Sequence, residues 1–143
     1  MLQVGRTNND QSVWFMETRY ELLHESFSTA DAEYPQFVFE NGRLRVTFRD
    51  WREELIDVLF HDVVAFSWDD GDAALDASHR DDCSYVVQGS SWLATHRKAG
   101  TVMPSEDKQH FKLCFNAVGV LQVLASKLEV LGEAVAPSGS GGS

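Results

Sequence analysis

Six aspartates and a single arginine occupy the sixteen residues WDDGDAALDASHRDDC, positions 68–83. Carboxylates at this density could ligate a cation, take part in acid–base catalysis or bind a basic partner. A calcium-binding EF-hand loop needs oxygen ligands at its positions 1, 3 and 5 and glycine at position 6. Ala74 takes position 6 in a loop that starts at Asp69, and position 5 in one that starts at Asp70. The spacing therefore favours a solvated loop or a docking surface over a metal site.

Other catalytic and metal-binding motifs are likewise incomplete or absent in this sequence. The pair His61-Asp62 matches the adjacent ligands of metal phosphohydrolases, but it lies in a strand-like run rather than on a helix. The five histidines lack His-x-His and His-Glu-x-x-His spacing, and no nucleophile elbow or phosphate-binding glycine loop occurs. The sequence therefore predicts no catalytic residue, no metal and no cofactor, and we interpret the protein as a non-enzyme.

Negative charge is concentrated in one segment. The formal net charge is −10, and residues 50–82 hold eleven acidic and two basic side chains, a local net of −9. Nucleic-acid binding requires a cationic surface that displaces counterions from phosphates. An anionic membrane surface would also repel this segment. The expected partner is therefore a basic protein, with no direct contact to nucleic acid or membrane.

The 143 residues suit one domain. We expect a single acidic β-rich domain over residues 1–136, followed by a Gly/Ser linker or tail, PSGSGGS, over 137–143. The sequence shows no secretion leader and no long apolar run, so we expect a cytoplasmic protein. In that compartment Cys83 and Cys114 should be reduced thiols. The carboxylates beside Cys83 should disfavour its thiolate.

The clearest structural signal is the hairpin QFVFENGRLRVTF, residues 36–48. Asn41 and Gly42 tolerate the positive φ angles of a type I′ turn, whose twist suits paired strands. A two-residue turn places Phe37, Phe39, Leu44, Val46 and Phe48 on one face. The run LIDVLFHDVVAFSW, residues 55–68, is too long for one strand and predicts a break near His61-Asp62.

Further strands are predicted at 84–88 and 110–116, and in SVWFMET at 12–18. Residues 19–27 fit strand or helix, and 120–131 also fit both, with strand favoured. SSWLATHRK, residues 90–98, predicts a short helical turn capped by Ser90 or Ser91. The predicted fold is mainly β, an antiparallel sandwich or partly open barrel of six to eight short strands with one or two short helices.

Two tryptophans lie next to the segments of interest. Trp68 directly precedes residues 69–82, called the acidic loop from here on, and Trp92 follows the predicted strand 84–88. Tryptophan in a strand-rich domain is usually part of the core, but beside a charged loop it also serves as an interface anchor. The predicted partner-binding set is Trp68, Asp69, Asp70, Asp72, Asp76, Asp81, Asp82 and Trp92.

The segments NGRLRVTFRDWREELIDVLFHDVVAFSW (41–68) and HFKLCFNAVGVLQVLASKLEVL (110–131) resemble small bacterial β-rich domains. Some of those domains look like immunity proteins of polymorphic toxin systems. The resemblance covers roughly residues 36–131 and lies in strand rhythm and the two hairpins, so it carries over no individual functional residue. It implies a partner-binding inhibitor of a toxin in a bacterial cytoplasm. Two alternatives remain: a subunit of a homo-oligomer or larger bacterial defence complex, and a small-ligand-binding β-barrel.

Overall fold

The computed structural model describes residues 17–131, which form nine strands and one helix. The elements in chain order are β1 (Arg19–Leu22), β2 (Gln36–Glu40), β3 (Arg43–Arg49), β4 (Leu55–His61), β5 (Ala65–Asp70), β6 (Ser84–Gln88), α1 (Ser91–Ala99), β7 (Gln109–Phe115), β8 (Gly119–Ala125) and β9 (Lys127–Val130). Most of the predicted strand at 12–18 lies outside the described residues. The ambiguous segments 19–27 and 120–131 contain β1 and β8–β9, so both include strands.

The strands form two antiparallel sheets in a sandwich, which confirms the predicted fold class. The five-stranded sheet has the order β1-β6-β7-β8-β5, and the four-stranded sheet has the order β2-β3-β4-β9. The sheets do not close into a barrel. Nine strands exceed the predicted six to eight, in part because the segment predicted as one strand or helix at 120–131 forms β8 and β9, which lie in different sheets.

The predicted hairpin is confirmed with its register. Phe39 pairs with Leu44 and Phe37 pairs with Val46 across the β2–β3 ladder. Asn41 and Gly42 have φ values of 51° and 75°, as a type I′ turn requires. The inward residues Leu44 and Val46 are fully buried, whereas Val38 on the opposite face is exposed.

The runs 55–68 and 120–131 are each divided where the chain passes from one sheet to the other. The predicted break at His61-Asp62 separates β4 in the four-stranded sheet from β5 in the five-stranded sheet. Asp62 has a φ of 53° there, in the left-handed region that Asp tolerates better than bulky residues. A second crossing follows β8, where Ser126 separates it from β9.

The core lies between the sheets and follows strand periodicity. Its largest fully buried members from the two sheets are Phe60, Phe115, Leu44, Leu113 and Leu121. Phe60 packs on Phe111 with ring centroids 5.4 Å apart. The two cysteines, Cys83 and Cys114, are free thiols, so no disulfide bond links them across this core. Burial, followed by the contact with Asp82, raises the pKa of Cys83, in agreement with the predicted low thiolate character.

The outer face of the five-stranded sheet is covered in part, and this face positions the candidate sites. The acidic loop connects β5 to β6 and places Ala74 and Leu75 on Tyr85, Cys114 and Val120 of that face. Helix α1 contacts the same face through Trp92. As predicted, Ser90 caps α1: its hydroxyl oxygen accepts a hydrogen bond from the Leu93 N–H at 3.0 Å.

Candidate interaction surface and polar cavity

Three of the six aspartates in the acidic loop hold the loop in place. The Asp76 carboxylate accepts hydrogen bonds from the Ser78 backbone N–H and hydroxyl, each at 3.0 Å, and from the Tyr20 hydroxyl at 2.9 Å. These donors, the Ser78 N–H foremost, lower the pKa of Asp76 to about 2. Burial, and then the bond to Asp76, raises the pKa of Tyr20 to about 12. Asp76 is therefore ionised and attached to β1.

Asp70 and Asp82 are bound in the same way at the two ends of the loop. The Asp70 carboxylate accepts from the Tyr34 hydroxyl at 2.6 Å and from the Trp68 indole N–H at 2.7 Å. The bond from Tyr34 is the main cause that lowers the pKa of Asp70. Asp82 receives two hydrogen bonds from the Arg80 guanidinium, at 3.0 and 2.9 Å. Both carboxylates shape the loop; the charge of Asp82 is balanced by Arg80, whereas Asp70 is held by uncharged donors.

The other three aspartates are free of such contacts. Among the residues 17–131, the side chains of Asp69, Asp72 and Asp81 have no hydrogen-bond or ion-pair partner. Asp72 and Asp81 are exposed and Asp69 is half-buried. The charges of Asp72 and Asp81 are directed to solvent, and that of Asp69 is partly accessible to a partner. The predicted acidic set therefore divides into a structural half and a free half.

Aromatic side chains line the adjoining edge of the sandwich, where β5 of one sheet lies beside β2 of the other. Ring centroids of Phe39 and Phe66 are 5.4 Å apart, and Trp68 lies 5.3 Å from both Phe37 and Tyr34. We call these five residues the aromatic seam. Tyr34 is 53% exposed, Phe39 50% and Phe66 38%. Because Tyr34 and Trp68 both donate to Asp70, the seam is continuous with the acidic loop.

The two predicted tryptophan anchors lie on opposite faces of the five-stranded sheet. Trp68 faces the core, where it packs on Phe115 at a centroid distance of 5.8 Å, and it is half-buried. Trp92 lies on α1 over the outer face, with its ring 5.2 Å from the His110 ring. The structure thus places Trp68 with the acidic loop in one surface and Trp92 in another. Tyr34, Phe39 and Phe66 are the more exposed aromatics, although alternation in the sequence predicts Phe39 on the inward face of its hairpin.

A buried polar network lies beneath Trp92. His110 is 7% exposed, and its Nδ1 and Nε2 lie 2.7 Å from the Ser90 hydroxyl and 2.8 Å from Gln122 Oε1. Burial lowers the pKa of His110 to about 4, although the bond to Gln122 opposes this. The imidazole is therefore neutral at pH 7. Because Gln122 Oε1 can only accept, Nε2 carries the proton and Nδ1 accepts from Ser90.

Lys112 lies two residues further along the same face of β7. It is 4% exposed, and its ammonium lies 5.1 Å from the centre of the Tyr20 ring, a cation–π geometry. Burial lowers the pKa of Lys112. The sequence signal for this network was the alternation of His110, Lys112 and Cys114 with Phe111, Leu113 and Phe115, which indicates a strand with a partly polar second face.

The adjacent pair His61-Asp62 has a structural role in this fold. His61 Nε2 lies 2.7 Å from a carboxylate oxygen of Glu129 across the β4–β9 ladder. Asp62 occupies the bend into β5, and its backbone carbonyl accepts from the Lys108 ammonium at 2.9 Å. Over residues 17–131, no group of three or more His, Cys, Asp and Glu side chains is arranged to hold a metal ion.

Within the described chain, no helix is both long and apolar enough to cross a membrane. Comparisons of the sequence with protein-family models and with curated proteins, and of the fold with solved structures, gave no match.

Proposed function

We propose that this protein is a non-enzymatic binding protein, an immunity-type inhibitor that acts in a bacterial cytoplasm on a basic toxin such as a nuclease. The observation that carries the proposal is the continuity of the exposed aromatic seam with the acidic loop through Asp70. Interfaces combine a few large aromatic anchors with a polar rim. Here the seam lies at the edge formed by β5 and β2, and the acidic loop runs from that edge across the outer face of the five-stranded sheet to β1.

The two parts of this surface have different physical roles. Free carboxylates at Asp69, Asp72 and Asp81 attract a basic partner over a distance and raise its association rate, by about 10- to 1000-fold at low salt. Such charges in a rim contribute little to the affinity of the final complex. The affinity comes from the aromatic rings, because burial of a large apolar side chain in a dry contact is what hot spots share.

The exposed members of the seam are better anchors than the two tryptophans. Trp68 already packs in the core and donates to Asp70 and Tyr34, so it supports the surface from below. Trp92 covers His110 on the outer face of the five-stranded sheet. The proposed contact residues are therefore Tyr34, Phe39 and Phe66, and the three free aspartates of the acidic loop supply the charge that attracts the partner.

Capture from a bacterial lysate tests the proposal. The immobilised protein should retain a basic protein at low salt and less of it at high salt, because rim charges are screened. Phe39→Ala and Tyr34→Ala should each weaken binding of that protein by about tenfold or more. Trp51→Ala is the matched control, since Trp51 is 61% exposed in the turn between β3 and β4. Equal loss with Trp51→Ala, or no effect of either seam variant, would contradict the assignment.

Light scattering with the same Phe39→Ala variant tests the homo-oligomer alternative. If the seam pairs with a second copy, light scattering should give a dimer mass that Phe39→Ala reduces to the monomer. We expect a monomer, because a second copy would bring a second set of free aspartates to the same interface, and like charges repel.

A further inference from the structure

A cavity of about 270 Å³ opens on the outer face of the five-stranded sheet. It lies between β1 and the start of α1, above the β5, β7 and β8 side chains of that face, and is separate from the aromatic seam. Its volume is just below the roughly 300–1000 Å³ of sites for drug-sized ligands. The space therefore suits a ligand with a single ring. The lining residues are Thr18, Tyr20, Ser67, Val87, Ser90, Ser91, Trp92, His110 and Gln122.

None of the lining side chains carries a charge at neutral pH. His110 is held neutral by burial, and Tyr20 keeps its proton because its hydroxyl donates to Asp76. The remaining lining groups are hydroxyls, an amide, an indole and one valine. A charged ligand would lose hydration without gaining an opposite charge from the lining, which is costly. The lining therefore selects an uncharged ligand.

The cavity also holds hydrogen-bonding groups with unused capacity. Gln122 accepts from His110 through Oε1, and this orients its NH₂ group, which has no partner among residues 17–131. The hydroxyls of Ser67 and Ser91 likewise have no hydrogen-bond partner within the described chain. The Trp92 indole adds an apolar ring surface at the same site. Donors and acceptors beside an aromatic ring match a ligand that has hydroxyls at its edge and C–H groups on its faces.

We propose that this cavity is a binding site for a small neutral polyhydroxylated ligand of the monosaccharide class. The Gln122 amide and the hydroxyls of Ser67 and Ser91 bind the ligand hydroxyls, and Trp92 packs on the ring. His110 is a positioning residue, because it fixes the orientation of Gln122 and connects it to the cap of α1 at Ser90. The site does not depend on the acidic loop binding a partner.

The test measures binding of D-glucose, D-galactose and N-acetyl-D-glucosamine to the full-length protein by saturation-transfer NMR. The protein should bind at least one of these sugars saturably, and for a ligand of this size we expect a Kd of about 1 mM. Ser67→Ala and Trp92→Leu should each weaken that binding by about tenfold. The controls Ser105→Ala and Trp51→Leu change exposed residues outside the cavity and should leave it unchanged.

Three outcomes would overturn the proposal. The first is the absence of saturation by all three probes at about ten times the expected Kd. The second is a saturable response that Trp92→Leu leaves intact, which would place the ligand elsewhere. The third is tighter binding of acetate or inorganic phosphate than of any of the sugars, because the cavity would then select an anion. Circular dichroism of each variant confirms that a loss of binding does not reflect unfolding.

Discussion

The outer faces of the two sheets differ in how they treat polar groups. On the four-stranded sheet each outward polar pair has one member that reaches solvent: Arg45, with half of its side chain exposed, donates to the buried Asp57 at 2.9 Å, and His61 contacts the half-exposed Glu129. On the five-stranded sheet the acidic loop and α1 cover His110 and Lys112, which are 7% and 4% exposed. One face is open to solvent through one member of each polar pair, and the other is a buried polar layer.

The difference shows what a cover does to a strand's second face. On an open face, water can replace the lost partner of a polar side chain at little cost in stability. A buried polar side chain must keep its partners, because water cannot reach it. The covered face therefore links three features that are distant in sequence: the cap of α1, the orientation of Gln122 and the position of the acidic loop. Perturbing this face should affect stability far more than perturbing the open one.

The largest predicted effect is a loss of stability in acid that arises from the covered face. The pKa of His110 is lowered from 6.5 to about 4 in the folded protein, so the unfolded chain takes up the proton more readily. The contribution to stability is complete above pH 6.5 and falls as the pH decreases to about 4, by on the order of 3 kcal/mol in total. Urea unfolding from pH 7 to pH 4 measures it.

His110→Gln removes the titrating ring and should flatten the stability profile between those pH values. His24→Gln, at an exposed position, is the matched control and should keep the wild-type slope. Asp76 contributes little in this window, because its pKa is lowered from 3.8 to about 2 and its stabilisation is lost mainly below about pH 4. An unchanged slope in His110→Gln would show that another group controls the acid response.

A smaller loss is expected when the link between α1 and His110 is cut. Ser90→Ala removes the cap of the helix and the donor to His110 Nδ1, so it should lower the free energy of unfolding by about 1–2 kcal/mol. Ser91→Ala changes the neighbouring hydroxyl, which neither caps the helix nor contacts His110, and should have little effect. Equal losses in the two variants, measured by urea unfolding at pH 7, would contradict the role of Ser90.

The smallest effect should come from the open face. Glu129→Gln removes the charge that His61 contacts, where the Glu129 side chain is 47% exposed. Exposed ion pairs contribute at most about 1 kcal/mol, so the unfolding midpoint at pH 7 should move little. A loss as large as that of Ser90→Ala would mean that the two faces are equally dependent on their polar groups, and the comparison would fail.

Local periodicity was sufficient to predict the strands but not their partners. Asn41-Gly42 predicted the hairpin with its register, and the length of 55–68 predicted the break at His61-Asp62. The sequence did not reveal that the chain changes sheets at this break and again at Ser126, because alternation identifies an inward face without identifying which sheet it belongs to. The choice of sheet depends on long-range pairing.

The candidate sites were predictable to a lesser extent. Charge density located the acidic loop, but it could not distinguish Asp76, which binds Tyr20, from Asp72, which has no partner within residues 17–131. Phe39 reads as a core residue by alternation. Its 50% exposure follows from the position of β2 at the edge of its sheet. The neutral His110 network arises only when β7, β8 and α1 come together.

The division of the acidic loop gives the most direct test of the proposed function. The measurement is the association rate of the captured basic protein as a function of salt. The wild type is compared with Asp69→Asn/Asp72→Asn/Asp81→Asn, which neutralises only the free aspartates. The control Glu25→Gln/Glu53→Gln/Asp107→Asn neutralises three exposed acids outside the loop and changes the net charge equally. We expect about a tenfold slower association at low salt and a weaker salt dependence for the loop variant alone. Equal rates for the two triple variants would contradict the claim that the acidic loop is the docking surface.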